Sequence, residues 1–369
     1  MLVGRFLAAA VSASLLLGFG YGWYEYRTLN TGLHRLHLAN LGKQAPDAPE
    51  DPQVNGKEQN ILLVGLDSRD GLSRREQLRL SVGGDATMST DTIMVLHVPA
   101  DGSRATMISI PRDSFVDIPK GWAKNKINAA FADAYSDAAG TEDQKRAAGA
   151  DLLLATVHKL TGLRIDHYVQ IGFGGFYTIA KALGGISVNL CQATNDTHAY
   201  NVAHWGESFG SDFKMSAGKH HLTPVQVLQF VRQRHNLNGG DIARERRQQY
   251  FLKTAFNKIA SAHVLLNPGK LHKLIKAVDG ALYVDDHMNL LDLAKQLSDL
   301  SANKISGYTI PTEGGATVDV VGQQVSVLKV DPAQVRAFVD RHLNGSVKPK
   351  TKDTVPSHKR SGKPKGCIY

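Results

Sequence analysis

Short apolar runs that stop abruptly at charged residues constrain this chain more than any other feature. Asn60-Ile-Leu-Leu-Val-Gly-Leu66 is followed at once by Asp67-Ser68-Arg69. A run of that length bounded by polar residues reads as a buried strand whose carboxyl end delivers functional groups. Residues 92–98 and 105–110 are two more such runs, joined by Pro99-Ala-Asp-Gly102, so they read as a hairpin. Residues 166–171 form a further strand, and helical periodicity fills residues 128–139, 142–160 and 173–183, the last ended by Gly184-Gly185. Thr223-Pro224 is a helix start, with Thr as N-cap and Pro at the first helical position, for a helix over residues 225–230. Asp241 is expected to cap the next helix, which runs to about Ala260. Helices are further expected at 268–278, 290–300 and 332–343, with short strands at 306–310, 316–321 and 323–328. Strands alternating with helices define an α/β domain with a central sheet covered on both faces.

With 369 residues, 42% of them hydrophobic, the chain can bury one large domain with appendages. Its net charge of +9 suits an acidic partner, whether nucleic acid, anionic lipid or phosphorylated glycan. Residues 6–24 carry no charge and are about long enough to cross a bilayer as a helix. Trp23, Tyr24 and Tyr26 stand where an interfacial belt belongs, ahead of Arg27. A cleaved signal peptide competes with this reading, but no A-x-A site follows the apolar stretch, so a retained anchor is expected. The organisation is then a cytoplasmic end and transmembrane anchor (1–27), an extracytoplasmic linker (28–58), a folded domain (59–345) and a basic flexible tail (346–369). A domain outside the membrane has little reason to bind nucleic acid. Cys191 and Cys367 fit either one disulfide of an oxidising compartment or two unrelated thiols.

From Phe230 to Phe251 the chain sets five arginines, Arg232, Arg234, Arg244, Arg246 and Arg247, around a Gly-Gly-Asp turn. A guanidinium is a planar fork that fits phosphate oxygens bidentately, so arginines at fixed spacing imply a multiply charged anion such as a pyrophosphate; a solvated basic face is the alternative. Because the segment leads into a helix N-terminus, the helix dipole adds attraction. Three further segments place charge at strand edges: Asp67-Ser-Arg69, Ser89-Thr-Asp91-Thr and Pro111-Arg112-Asp113. His198, His204, His220 and His221 lack cysteine or carboxylate partners at ligand spacing, so they do not read as a metal site. Phe131, Tyr168, Phe173, Phe176 and Tyr177 read as core or as the lining of an apolar groove.

Taken together, the segments resemble the LytR-CpsA-Psr family of membrane-anchored glycopolymer ligases. The resemblance is carried by N-I-L-L-V-G-L-D-S-R from Asn60, S-T-D-T-I-M from Ser89, I-S-I-P-R-D-S from Ile108, K-I-N-A-A-F from Lys126, D-H-Y-V-Q-I from Asp166, and R-Q-R-x5-G-D-x2-R-x2-R-Q-Q from Arg232. It implies an α/β/α sandwich around a mostly antiparallel or mixed sheet, preceded by one transmembrane helix. It also implies a phosphotransferase that moves a glycan with one phosphate from a polyprenyl-pyrophosphate carrier onto a peptidoglycan hydroxyl. On the family pattern Asp91 ligates Mg2+, and Arg112, Arg232, Arg234, Arg244 and Gln248 contact phosphate oxygens; Asp67 is the candidate second ligand on chemical grounds, since Mg2+ takes few carboxylates beside water and phosphate. Asp67, Arg69, Asp113, Lys126, Asn128, Asp241 and Arg247 form a second tier of substrate contacts, with a solvent-facing position beside Arg246 as the alternative for Arg247. Ser89 departs from the arginine that many members carry there, and Arg69 is the candidate to reach the same region. Asp67 is the candidate to take the acceptor's proton. A polyprenyl-pyrophosphate hydrolase and a non-catalytic regulator are the competing functions, and the polymer class implied is arabinogalactan or a teichoic-acid type.

Overall fold

The computed structural model of the chain describes residues 33–42, 58–70, 72–80, 82, 88–100, 104–196, 211–233, 236–237, 240–261, 276, 282–289, 305–343 and 366–369, with backbone alone at 241 and 259–261. The expected anchor at 6–24, the helices at 268–278 and 290–300 (Lys276 aside), and most of the linker and tail lie outside the described residues. No helix among the described residues is long and apolar enough to cross a membrane.

Seven strands form the main sheet, in the order β1 (His34–Leu36), β12 (Leu282–Asp285), β7 (His167–Ile171), β2 (Gln59–Leu66), β3 (Thr90–Val98), β4 (Ala105–Ser109) and β13 (Ile305–Thr309). The pairs β1–β12, β7–β2 and β4–β13 are parallel and the other three antiparallel, so the sheet is evenly mixed. β2 shows why its sequence is apolar at nearly every position. Leu62, Val64 and Leu66 face one core and Ile61 the other, so both faces of the strand are buried.

On the first face lie α2 (Ala129–Asp137), α3 (Glu142–Thr161) and α7 (Pro332–Leu343), which contribute Phe131, Leu153, Val157, Val335 and Val339 to the core. On the second lie α4 (Phe173–Ala182), α5 (Pro224–Arg232) and α6 (Gly240–Ser261), which contribute Phe176, Phe230 and Phe251. The result is an α/β/α sandwich. The helices begin where side chains satisfy the first free amides. Thr141 with Gln144 and Thr223 with Gln226 form capping boxes, and Pro224 takes the first turn of α5. Helix α6 starts at Gly240, so Asp241 falls inside its first turn rather than ahead of it as its cap.

A second sheet was not foreseen. β14 (Gly314–Val320) and β15 (Gln323–Lys329), expected only as short strands, pair as an antiparallel hairpin, and β15 pairs with β5 (Ser114–Val116) and β5 with β6 (Asn125–Lys126), away from the central sheet. The two cysteines are bonded, Cys191 to Cys367, which decides between the two readings left open for them. The tail returns at its end to β8 (Ile186–Leu190), where Ile368 N donates to Asn189 O and Cys191 N to Ile368 O.

Candidate active site

The antiparallel pair β2–β3 carries a bulge where Gly65 faces Thr92 and Leu66 faces Thr90, leaving Asp91 as the extra residue. Bulges re-aim side chains at sheet ends. Beyond it Asp67 N donates to Ser89 O at 3.3 Å, so the loop after β2 and the entry to β3 run side by side. The next strand, β4, leads through Ile110 and Pro111 to Arg112. Arg112 Nη1 meets Asp91 Oδ1 at 2.5 Å, Arg112 Nε lies 3.6 Å from Asp113 Oδ2, and Lys126 Nζ lies 2.8 Å from Asp113 Oδ1. Asp91, Arg112, Asp113 and Lys126 therefore form one strip of alternating charge, with side chains 18–25% exposed. Partial burial strengthens each pair relative to a surface pair and leaves the strip open to a ligand.

Asn128 stands at the N-cap of α2 yet makes no side-chain cap; its amide donates instead to Ser89 Oγ at 3.1 Å. A residue type favoured for capping is thus turned toward the strip. Ser89 sits beside Asp67, and Arg69 Nη1 lies 3.6 Å from Asp67 Oδ1. Arg69 and Arg232 converge on one short segment, for Arg69 Nε donates to Val82 O at 2.6 Å and Arg232 Nη1 to Leu80 O at 3.3 Å. The Arg232 guanidinium also lies 4.9 Å from the Phe173 ring centre, so Phe173 supports a site cation. Phe131 and Tyr168 belong to one core, and Phe176 and Tyr177 to the other.

Arg244 and Gln248 stand one helical turn apart on α6, 2% and 6% exposed, and Gln248 Oε1 has no hydrogen-bond partner among the described residues. The neighbouring Gln249 donates to Ser109 Oγ at 2.6 Å and to Tyr308 O at 3.1 Å. That contact fixes α6 against the strand leading to Arg112, a role the sequence did not suggest. Arg234 and the Asp241 side chain lie outside the described residues.

Arg247 is corrected on its solvent-facing alternative, for it is 1% exposed. Its Nε donates to Tyr369 O at 2.7 Å and its Nη1 to Gln233 Oε1 at 2.5 Å and Phe230 O at 3.3 Å. The Phe230 ring centre lies 4.5 Å away, and burial pushes the guanidinium pKa down to about 10. Arg246 is exposed, as expected. His220 and His221 bond to the carbonyls of Ser216 and Gly184, while His198 and His204 lie outside the described residues. Among the described residues no group of three or more His, Cys, Asp or Glu is placed to hold a metal ion. The carboxylates at the strand ends are Asp67, Asp91 and Asp113.

The strand ends of this α/β/α sandwich gather carboxylates, arginines and a lysine, and the molecule is of the mixed α/β class. The chain belongs to the LytR_cpsA_psr family, whose model matches residues 35–341. It is similar to the cell wall biosynthesis protein LcpA of Corynebacterium glutamicum, 32% identical over 370 residues that cover 95% of this chain and 67% of the relative. It is also similar to the polyisoprenyl-teichoic acid–peptidoglycan teichoic acid transferase TagU of Oceanobacillus iheyensis, 28% identical over 80% of this chain and 82% of the relative. The fold matches the crystal structure of B. subtilis TagV, with a TM-score of 0.56 and 21% identity over 78% of this chain and 98% of that one.

Proposed function

We propose that this chain, an enzyme of the transferase class, moves a glycopolymer with one phosphate from a polyprenyl-pyrophosphate carrier onto a peptidoglycan sugar hydroxyl and leaves polyprenyl phosphate behind. The observation that carries the reading is the charge strip Asp91–Arg112–Asp113–Lys126, laid across the strand ends beside Asp67, Arg69 and Arg232. Phosphoryl transfer depends on charge neutralisation and in-line positioning, with little covalent chemistry for the protein to perform. Arg112, Arg232, Arg234, Arg244 and Gln248 hold the phosphate oxygens in this reading, and Asp67 receives the proton of the attacking hydroxyl. Lys126 holds Asp113, and Asp113 in turn steadies Arg112.

The donor set suits Mg2+, which takes one or two carboxylates and fills its remaining positions with water and phosphate. Asp67 and Asp91 supply those carboxylates. The ion, when bound, neutralises charge on the pyrophosphate. Kinship to a teichoic acid transferase supports a wall polymer as cargo, of teichoic-acid or arabinogalactan type. An N-terminal anchor that keeps the domain outside the membrane fits a lipid-linked donor.

Incubating the protein with a polyprenyl-pyrophosphate glycan, peptidoglycan oligomers and Mg2+ is expected to give a glycan–phosphate–peptidoglycan adduct. Release of free phosphorylated glycan in the presence of acceptor identifies a pyrophosphate hydrolase instead. An intracellular C-terminus in reporter fusions, with salt-sensitive DNA binding, identifies a regulator.

A further inference from the structure

Arg146, on the second turn of α3, is 2% exposed. Its Nη2 lies 2.9 Å from Asp70 Oδ2 and 2.8 Å from Glu142 Oε1, and its guanidinium lies 4.4 Å from the Tyr283 ring centre. Nε and Nη1 are buried with no hydrogen-bond partner among the described residues. For stability alone this is a poor choice of side chain. A well-packed apolar residue commonly equals or exceeds a buried ion pair, and buried donors left unmet add a desolvation cost. The reason for a guanidinium here is found in what it grips.

It grips Asp70, one residue after Arg69 and three after Asp67. The same loop is fastened from the opposite side by the start of α4. Phe173 N donates to Ser68 O at 3.0 Å, and Leu72 N closes the loop onto Arg69 O at 3.1 Å. A Cβ at Gly172 would collide with Ser68, and one at Gly174 with the Asp70 carbonyl. Asp70 is thus held through its backbone by α4 and through its carboxylate by α3.

We propose that Arg146 is a positioning residue, which acts through Asp70 to fix the loop of residues 67–72 so that Asp67 and Arg69 stand against the Asp91–Arg112 strip. Its consequence for chemistry rests on the function proposed above; its mechanical part does not. Asp70 and Glu142 have side chains 34% and 51% exposed, so both can be rehydrated when the arginine is removed. Arg146→Met, which retains an apolar contact with Tyr283, therefore leaves stability unchanged or raised while it frees the loop.

The full-length protein in detergent provides the test. In Arg146→Met, amide exchange across residues 67–72 speeds up while the melting temperature is held or increased. Mg2+ affinity, measured by calorimetry with inorganic pyrophosphate, weakens about tenfold, the usual size of effect for a residue behind a metal ligand. Arg146→Lys recovers part of the loss, because an ammonium keeps the charge facing Asp70. Asp70→Asn loosens the same amides from the loop side and decides the matter if Arg146→Met does not fold. Unchanged exchange in residues 67–72, in whichever of these variants folds, overturns the proposal. If exchange speeds up but the wild-type protein binds neither Mg2+ nor pyrophosphate, the positioning role stands and the transferase reading falls.

Discussion

Arg112 and Arg247 have the same side chain but opposite surroundings. Arg112 keeps 20% of its side chain exposed and pairs with Asp91, whereas Arg247 is 1% exposed and is spent on Tyr369, Gln233 and Phe230. Arg112→Ala is expected to cost about 1–2 kcal/mol, above the usual range for an exposed pair because Asp91 is left mostly buried without its partner. The same substitution should lower turnover ~100-fold, the loss typical when a charge-stabilising donor is removed. Arg247→Ala should do the reverse, costing about 3 kcal/mol in a denaturant titration because buried carbonyls lose their donor, with the folded fraction still turning over. His97 gives a pH signature. It is buried, with its ring bonded to Asn60 Oδ1 at 3.0 Å, and burial holds its pKa below the ordinary value despite the opposing charges of Glu58 and Asp166. A histidine of lowered folded-state pKa leaves the unfolded chain binding more protons, so stability falls as pH drops below about 6.5. His97→Gln should flatten that part of the curve in denaturation midpoints measured between acidic and neutral pH.

At the scale of elements, the junction of β2, its following loop and α4 is the tightest in the site. Gly172→Ala drives a methyl into Ser68 and is expected to cost about 2 kcal/mol by thermal unfolding, in the range for overpacking, with weaker pyrophosphate binding. Much at this scale could be read from sequence, because a period of two, a helical period or a cap leaves a local mark. The continuous apolar run of β2 signalled burial on both faces, and Thr223-Pro224 signalled the start of α5. What left no local mark was missed. β1 and β12 are three and four residues long, too short for a period to register. The pairing of β15 with β5 joins segments far apart in sequence, and only the folded chain reveals it. Burial of arginine was equally invisible, since Arg146 within a helical pattern and Arg247 within a basic run look like solvated charges. Asp91, Arg112 and Asp113 were readable because each sits beside the end of an expected strand, whereas Lys126 was reached only through the family resemblance. Gln249 was not, because its role is a contact with Ser109.

For the whole molecule, the bond between Cys191 and Cys367 spans 176 residues. Chain-entropy reasoning assigns a closure of that length about 5 kcal/mol of stabilisation as an upper figure. Cys191→Ser, or reduction of the wild-type protein, is expected to lower the melting temperature sharply, as calorimetry under oxidising and reducing conditions would report. The closed ring also divides the proposed clamp. Arg232, Arg244 and Gln248 belong to the covalent circle between the two cysteines, while Asp67, Asp91 and Arg112 belong to the open stretch before it. The two jaws are nonetheless sewn together, since β12, β13 and β15 of the ring pair with β7, β4 and β5 of the open stretch, so loosening one jaw is felt by the other through shared sheets.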